Sequence, residues 1–514
     1  MRNLLFLAAL LLAFHSSAQT TYTIAGTVVS SDSNRPLKNV LVAITSTGKP
    51  PRQSSCMTGE DGRFVFSNLP AGKFSLSAQT PSSRPQLFHQ SEDYSTAVVT
   101  GPGLDSQNIR FAFTPAGSIS GIIQDEAGDP VREAQVVLFH QGIFSGRLRT
   151  RLERQEASNS SGSFHFGQLK PGAYLLAVIA HPWYAQNGMG QMQPSAAELD
   201  VAYPVTYYGG STDPASASLI TVTEGATTKV DFSLRAVPAV HVEIANTGSE
   251  NENLGVQVLA IGPGGATMPT NGVFLNVGNR LELTGVAPGR YMVAKSSGGR
   301  KIVDLAASSS LDLRDFPEAH ISGRVTFEGE PSPPAGAIVV FSSPTAHMQP
   351  SVSPDGSFLV SGAQPGHYRL QLVNAPAYYI QSVNVGGQAS PDGDVDVPAA
   401  GDLQVSILAA KGVTAIDGIA TKDGVPFAGA MVLLLPDDLS RTVLIRRDQS
   451  DSDGTFTLPD VAPGSYTLVA IDDGRDLAYM EPPAIKPYLS AGHTISVPLT
   501  GSAPVKVNVL SRQR

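Results

Sequence analysis

The sequence predicts an all-β chain: a tandem array of about five small antiparallel Greek-key sandwiches. Three observations carry this. One short sentence recurs five times along the 514 residues. The segments around it alternate apolar and polar side chains with a period of two, the mark of half-buried strands. Glycine and proline number 50 and 38, and helical periodicity is almost absent, as in a turn-rich β protein.

The recurring stretches read DGRFVFSNLPAGKF, SGSFHFGQLKPGAY, GNRLELTGVAPGRY, DGSFLVSGAQPGHY and DGTFTLPDVAPGSY. Gly62 and Gly72, Gly162 and Gly172, Gly356 and Gly366, and Gly454 and Gly464 are each ten residues apart. In the third copy Asn279 stands ten residues before Gly289. Asparagine is the residue that best replaces glycine where φ is positive. The first glycine permits a tight turn. Two apolar residues then share one strand face: Phe64 and Phe66, Phe164 and Phe166, Leu281 and Leu283, Phe358 and Val360, Phe456 and Leu458. Each contributes roughly 1.5–3 kcal/mol when buried. A second turn follows, and two positions past its glycine comes an aromatic: Phe74, Tyr174, Tyr291, Tyr368 or Tyr466. The Pro-Gly-x-Tyr corner is expected to let a tyrosine hydroxyl bond nearby backbone, by analogy with Greek-key sandwiches.

Upstream of the repeat, ISGIIQDEAGDPVREAQVVLFHQG and TAIDGIATKDGVPFAGAMVLLLP read as strand, Gly/Pro turn, strand. The second-turn glycines are separated by 100, 117, 77 and 98 residues, each close to one small sandwich. The division that follows is a leader at 1–18 and modules at 20–115, 116–236 (with an aromatic loop), 237–316 (divergent), 317–410 and 411–514. Each module is expected to enclose its own apolar interior, and the series to form a semi-rigid rod.

Arg2, the apolar run LLFLAALLLAF and Ser16-Ser17-Ala18 read as a secretory signal peptide cleaved near Ala18. The run is too short to span a bilayer, and no later segment reaches that length, so no transmembrane anchor is expected after cleavage. The expected location is secreted, periplasmic or at the cell surface. The lone cysteine, Cys56, cannot form an internal disulfide. Formal net charge is −9 with only 15% charged residues, so nucleic acid is excluded as a partner. The one basic run, GRLRTRLERQ, reads as a solvated hairpin or loop.

Candidate sites are few. The only His-x-x-Glu is His89 to Glu92, the minimal fragment of a zinc peptidase site. The helices such an enzyme requires are missing, and the histidines lack metal-ligand spacing, so no catalytic residue and no obligatory cofactor is assigned. Alternating carboxylates at Asp392, Asp394 and Asp396 invite Ca2+, because hard cations take oxygen ligands from turns. Asp451-Ser452-Asp453-Gly454 does so more weakly, since it coincides with the repeat's own turn. The most unusual segment, His181 to Gly210, holds the single tryptophan, Trp183, with Tyr184, Tyr203, Tyr207 and Tyr208. Aromatic faces beside Asn and Gln amides suit a sugar; the alternative is that these rings seal a module edge or joint.

The pattern G-x-V…G-x-P…A-x-V followed by D-G-x-F-x-F-x-x-L-x-P-G-x-Y resembles the carboxypeptidase regulatory-like family, with kin in transthyretin-like domains and the B-type repeats of collagen adhesins. The fullest matches are the second module (Gly121, Gly128, Pro130, Ala134, Gly162, Phe164, Phe166, Pro171, Gly172, Tyr174) and the fifth (Gly418, Gly424, Pro426, Ala430, Asp453, Gly454, Phe456, Pro463, Gly464, Tyr466). Tyr203 to Leu234 also resembles a segment of large multi-module exported proteins of soil bacteria. The resemblance implies prealbumin-like or immunoglobulin-like sandwiches, classed near carbohydrate-binding folds, and implies no catalytic residues. It leads to a secreted, non-enzymatic binding, spacer or adhesive protein whose partner is a glycan or a cell-surface protein. The alternatives are carbohydrate binding through Trp183, Tyr184 and Tyr207, and a zinc peptidase.

Overall fold

The computed structural model describes residues 20–513 except 187–195, 246–254, 278–279, 296–298, 314–315, 317, 344–345, 500 and 502. The leader and Asn279 lie outside the described residues.

The first module sets the pattern. Its opening strand, Tyr22–Ser30, pairs antiparallel with Arg63–Leu69 and parallel with Ile109–Phe113. The facing sheet runs Gln53–Met57, Leu41–Ser46, Gly72–Gln79, with Gln86–Leu87 and Val98–Thr100 on its far edge. Later modules repeat the parallel pair: Gly117–Gln124 with Thr227–Lys229, Val240–Ala245 with Ser309–Asp312, Ala319–Phe327 with Gly401–Lys411, and Thr414–Lys422 with Val505–Leu510. The sandwiches are thus antiparallel except at the closing strand. That strand crosses over from the opposite sheet, which is how a parallel neighbour is reached.

This pairing explains the glycine of the G-x-V motif. A Cβ on Gly121 would stand 1.8 Å from Val230 O, and one on Gly26 would stand 2.1 Å from Ile109 O. Only a bare α-carbon lets the closing strand approach so closely. In the repeat, Phe64 and Phe66 are buried while Val65 between them is 52% exposed. Gly62, Gly162, Gly356 and Gly454 have φ between 69 and 85°, the left-handed turn the motif requires. Gly72, Gly172, Gly366 and Gly464 have φ of 148 to 158°; Gly289, in the divergent module, falls outside that range. The tyrosine corner forms three times. Tyr174 donates to Lys170 O at 2.7 Å, Tyr291 to Ala287 O at 2.7 Å and Tyr466 to Ala462 O at 2.9 Å. Tyr368 keeps the buried ring and lacks this bond.

The first, second, fourth and fifth modules each have an interior of their own. The third does not, contrary to the expectation from sequence. Its interior is continuous with Val137, Phe139, Leu175, Ala177, Ile179 and Tyr207 on the outer face of the second module. Those residues alternate with Val136, Leu138, Tyr174, Leu176 and Val178, which face the second module's own core. A sheet buried on both faces reads as a continuous apolar run, here QVVLF and YLLAVI. The same occurs at MVLLLP in the fifth module. Met431, Leu433 and Leu435 are covered there by Leu477, Tyr479, Ile485 and Tyr488. The last two lie on a helix, Pro482–Leu489, absent from the sequence reading. Proline at its first turn costs no hydrogen bond.

The rod is also corrected. The first and fifth modules are bonded to each other, so the series of modules closes on itself. Ser452 N donates to Ala97 O at 2.9 Å, Ala97 N to Asp451 Oδ1 at 2.9 Å and Val99 N to Ser452 Oγ at 2.8 Å. Lys73 Nζ lies 2.6 Å from Asp451 Oδ2. No helix among the described residues is long and apolar enough to cross a membrane.

Candidate functional site

The aromatic segment does not assemble one ring-lined surface. Trp183 is 79% exposed, with Tyr184 edge-on at 5.8 Å between centroids. The Tyr184 hydroxyl bonds Glu126, which also accepts from Tyr203 at 3.3 Å. Tyr203 and Tyr207 are 3% and 1% exposed, the former in the second module's core and the latter in the interior shared with the third. Tyr208 packs its ring against Phe232. Tyr203 and Tyr207 therefore offer no face to a ligand: their apolar rings are needed to seal the module and its joint. Trp183 and part of Tyr184 remain open.

The joint beside this segment is titratable. His241 Nε2 lies 2.9 Å from Asp200 Oδ2, and Nδ1 lies 3.0 Å from Glu282 Oε1. Burial alone would lower the imidazole's pKa; the bonds to Asp200 and Glu282 outweigh it, and the net direction is upward. The unfolded value is near 6.5. The ion pairs therefore stabilise fully below about pH 6.5, and this contribution is lost as pH rises through the higher folded pKa. The joint is expected to hold better at pH 6 than at pH 8.5, read by amide exchange at 197–202 and 237–245. Asp200→Asn should flatten that difference.

The acidic turn gathers differently from its sequence spacing. Asp392, Asp394 and His367 bring ligand atoms within 4.8 Å of one another. Asp396 instead bonds His367 Nδ1 at 2.8 Å, with its side chain 87% exposed. Asp396 is therefore not in the group, and His367 takes its place. Neighbouring strands cause this, since His367 is opposite Asp396 and Arg369 opposite Asp394. The sequence held no signal for this, because the register between Gly366–Val373 and Asp394–Val397 brings the pair together. Asp392 Oδ1 accepts from Ser390 Oγ and Asp394 N, an ordinary turn arrangement. Arg369 Nε stands 3.8 Å from Asp394 Oδ1, so a fixed positive charge opposes a cation there. Close by, an open cleft of about 200 Å³ runs between the fourth and fifth modules. Leu370, Ile380, Val383 and Val443 form its apolar wall and Arg441 its polar rim.

The His-x-x-Glu fragment lies in the joint between the first and fifth modules. His89 stacks on Phe88 with centroids 4.0 Å apart, and its carbonyl accepts from Gln449 Nε2 at 2.7 Å. Glu92 pairs with Arg447 at 2.6 Å. Arg447 also donates to Ser91 Oγ at 2.8 Å and lies over the rings of Tyr94 and Tyr479 at 4.4 and 5.1 Å. Glu92 is therefore bound to a guanidinium, whereas in a zinc site of that kind its carboxylate would ligate the metal.

Known proteins can be set beside this geometry. Residues 23–106 match the model of the carboxypeptidase regulatory-like domain. The carboxypeptidase regulatory-like match thus falls on the first sandwich, whereas the motif residues had pointed to the second and fifth. No curated protein matches the chain. Among solved structures, the minor pilin GBS52 of Streptococcus agalactiae is 13% identical, with a TM-score of 0.22, over 42% of this chain and 97% of its own. The Bacillus anthracis TIE protein is 8% identical, with a TM-score of 0.17, over 97% of this chain and 76% of its own. The shaft pilin SpaA of Lactobacillus rhamnosus GG is 10% identical, with a TM-score of 0.19, over 43% of this chain and 98% of its own. At such TM-scores these superpositions decide nothing about this chain.

Proposed function

We propose that the chain is an exported, non-enzymatic binding scaffold whose closed set of modules presents surface loops in a fixed relation. The observation that carries this is the bond between its first and last modules, which ties the chain's most chemically suggestive motif into a joint. A spacer would gain nothing from that closure, because spacing depends on end-to-end length. Export rests on the apolar leader. N-terminal sequencing of the protein from the exported fraction is expected to begin near Gln19; full-length protein held in the cytoplasm would contradict it. With peptide substrates and zinc no turnover is expected, and cleavage abolished by His89→Ala would contradict the non-enzymatic reading.

A second reading, glycan binding, is favoured by one observation: the single tryptophan is 79% exposed. Trp183 emission then reports the site directly. A bound sugar ring is expected to shift that emission saturably, and Trp183→Ala to lose roughly 1–3 kcal/mol of binding, as for other stacking contacts on an exposed aromatic. Binding that leaves emission unchanged and survives the substitution places the sugar elsewhere.

A further inference from the structure

The repeat strand lies at the edge of its sheet, and in most modules something closes that edge. In the first module the Val65 N–H donates to the sulfur of Cys56, which Gln53–Met57 of the facing sheet carries. In the second, Arg154 of Arg147–Ala157 bonds the Gly167 carbonyl. In the fifth, Asp448 Oδ2 accepts from Thr457 N at 2.7 Å, and Arg446 Nη2 donates to Asp460 O at 2.7 Å. Both side chains belong to Arg446–Gln449, again the edge of the facing sheet. In the third module the corresponding strand shrinks to Thr267–Met268, and a whole strand covers the edge instead. That strand, Val273–Val277, pairs antiparallel with residues 280–284 and sets Leu275 opposite Glu282.

The fourth module has neither device. Its corresponding strand is only His347–Met348, and Ser357–Ala363 pairs with Ala319–Phe327 alone. Among the described residues, no group outside that ladder bonds Leu359 or Ser361. Leu359, the counterpart of Val65, Glu282 and Thr457, is 64% exposed. Sheet edges are commonly blunted by charge or proline, and residues 357–361 contain neither. A register shift past Val360 ends the regular ladder there. The same shift in the third module, between Val240 and Val242, leaves room for Val273–Val277 to cover five residues.

The residues of this edge select its occupant. Ser-Phe-Leu-Val-Ser is symmetric in chemistry about Leu359. Laid antiparallel on a second copy of itself, it sets Leu359 against Leu359, Phe358 against Val360 and Ser357 against Ser361. No like charges are opposed, and each pairing matches polar with polar or apolar with apolar. We propose that residues 357–361 form a self-association edge, through which two copies of this chain pair antiparallel about a twofold axis. Such an interface uses the same patch on both copies. The main chain supplies its hydrogen bonds, as in other strand additions, and the side chains fix the register.

The test uses the full chain. Sedimentation velocity over a concentration series is expected to show a reversible dimer. Leu359→Lys should weaken it about tenfold or more, because it removes an apolar pair and opposes two like charges. Val65→Lys, at the closed edge of the first module, should leave it intact. Register is read by crosslinking in a Cys56→Ser background. Leu359→Cys should give a disulfide-linked dimer on mild oxidation, since facing α-carbons in such a pair lie about 5.5 Å apart, within reach of that bond. Val425→Cys, at a residue equally exposed elsewhere, should not. A monomer at every concentration, or a dimer unmoved by Leu359→Lys, overturns the proposal. So does a chain that stays monomeric while a peptide containing VFLNV binds it and loses that binding in Leu359→Lys, which would assign the edge to a foreign strand.

Discussion

Arg447→Ala is expected to detach the first module from the fifth at a cost of about 3–5 kcal/mol, the usual penalty for removing one partner of a buried ion pair. The side chain of Arg447 is 2% exposed and that of Glu92 12%. Alanine would leave the Glu92 carboxylate enclosed without its counter-charge. It would also empty the space between Tyr94 and Tyr479, and leave Ser91 without its donor. The remaining bonds of the joint run through Thr96, Ala97, Val99 and residues 449–452, and they depend on the same registration. Urea unfolding should split into an early transition of the first module and a later one of the rest, with faster amide exchange at 91–99. The double variant Glu92→Gln, Arg447→Met should recover part of the loss, because an apolar replacement leaves no charge stranded. A change below about 0.5 kcal/mol for the single variant would mean the contact is superficial.

Tyr466→Ala is expected to destabilise the fifth module by about 3–5 kcal/mol, the range for emptying a buried aromatic site. Tyr466 is 1% exposed and packs in the core with Phe456, Leu458 and Leu468. Tyr466→Phe keeps the ring and removes only the 2.9 Å bond to Ala462 O, so its cost should be about 1 kcal/mol. The difference between the two separates packing from the corner bond. Because the fifth module holds the first, loss of the ring should also loosen the joint, whereas Tyr466→Phe should not.

Local structure was legible in the sequence wherever one residue type is demanded by backbone geometry. Gly62 and Gly454 announce left-handed turns, Phe64 and Phe66 announce a face, and Tyr174 and Tyr466 announce the corner. Relations between modules were not legible, because no short period encodes them. Nothing near His89 or Glu92 indicates that Arg447, some 355 residues away, completes the pair. One signal was present and went unused. The unbroken apolar runs QVVLF and MVLLLP differ from the alternating LVAITS of the first module. They mark sheets covered on both sides, by the third module in one case and by Pro482–Leu489 in the other. The acidic turn was half legible: Asp392 and Asp394 come together, but the third member arrives from a neighbouring strand, which linear spacing cannot supply. The tyrosines of the aromatic segment were misread because composition does not show which ring faces the core; in the structure Tyr203 and Tyr207 face cores and Trp183 faces water.

Small-angle scattering of the full chain in dilute solution tests the closure most directly. Five sandwiches held in a closed set should give a radius of gyration of roughly 25–30 Å, near that of a compact body of this length. Five such sandwiches strung end to end would give roughly 50 Å, and a value in that range would contradict the bond between the first and last modules.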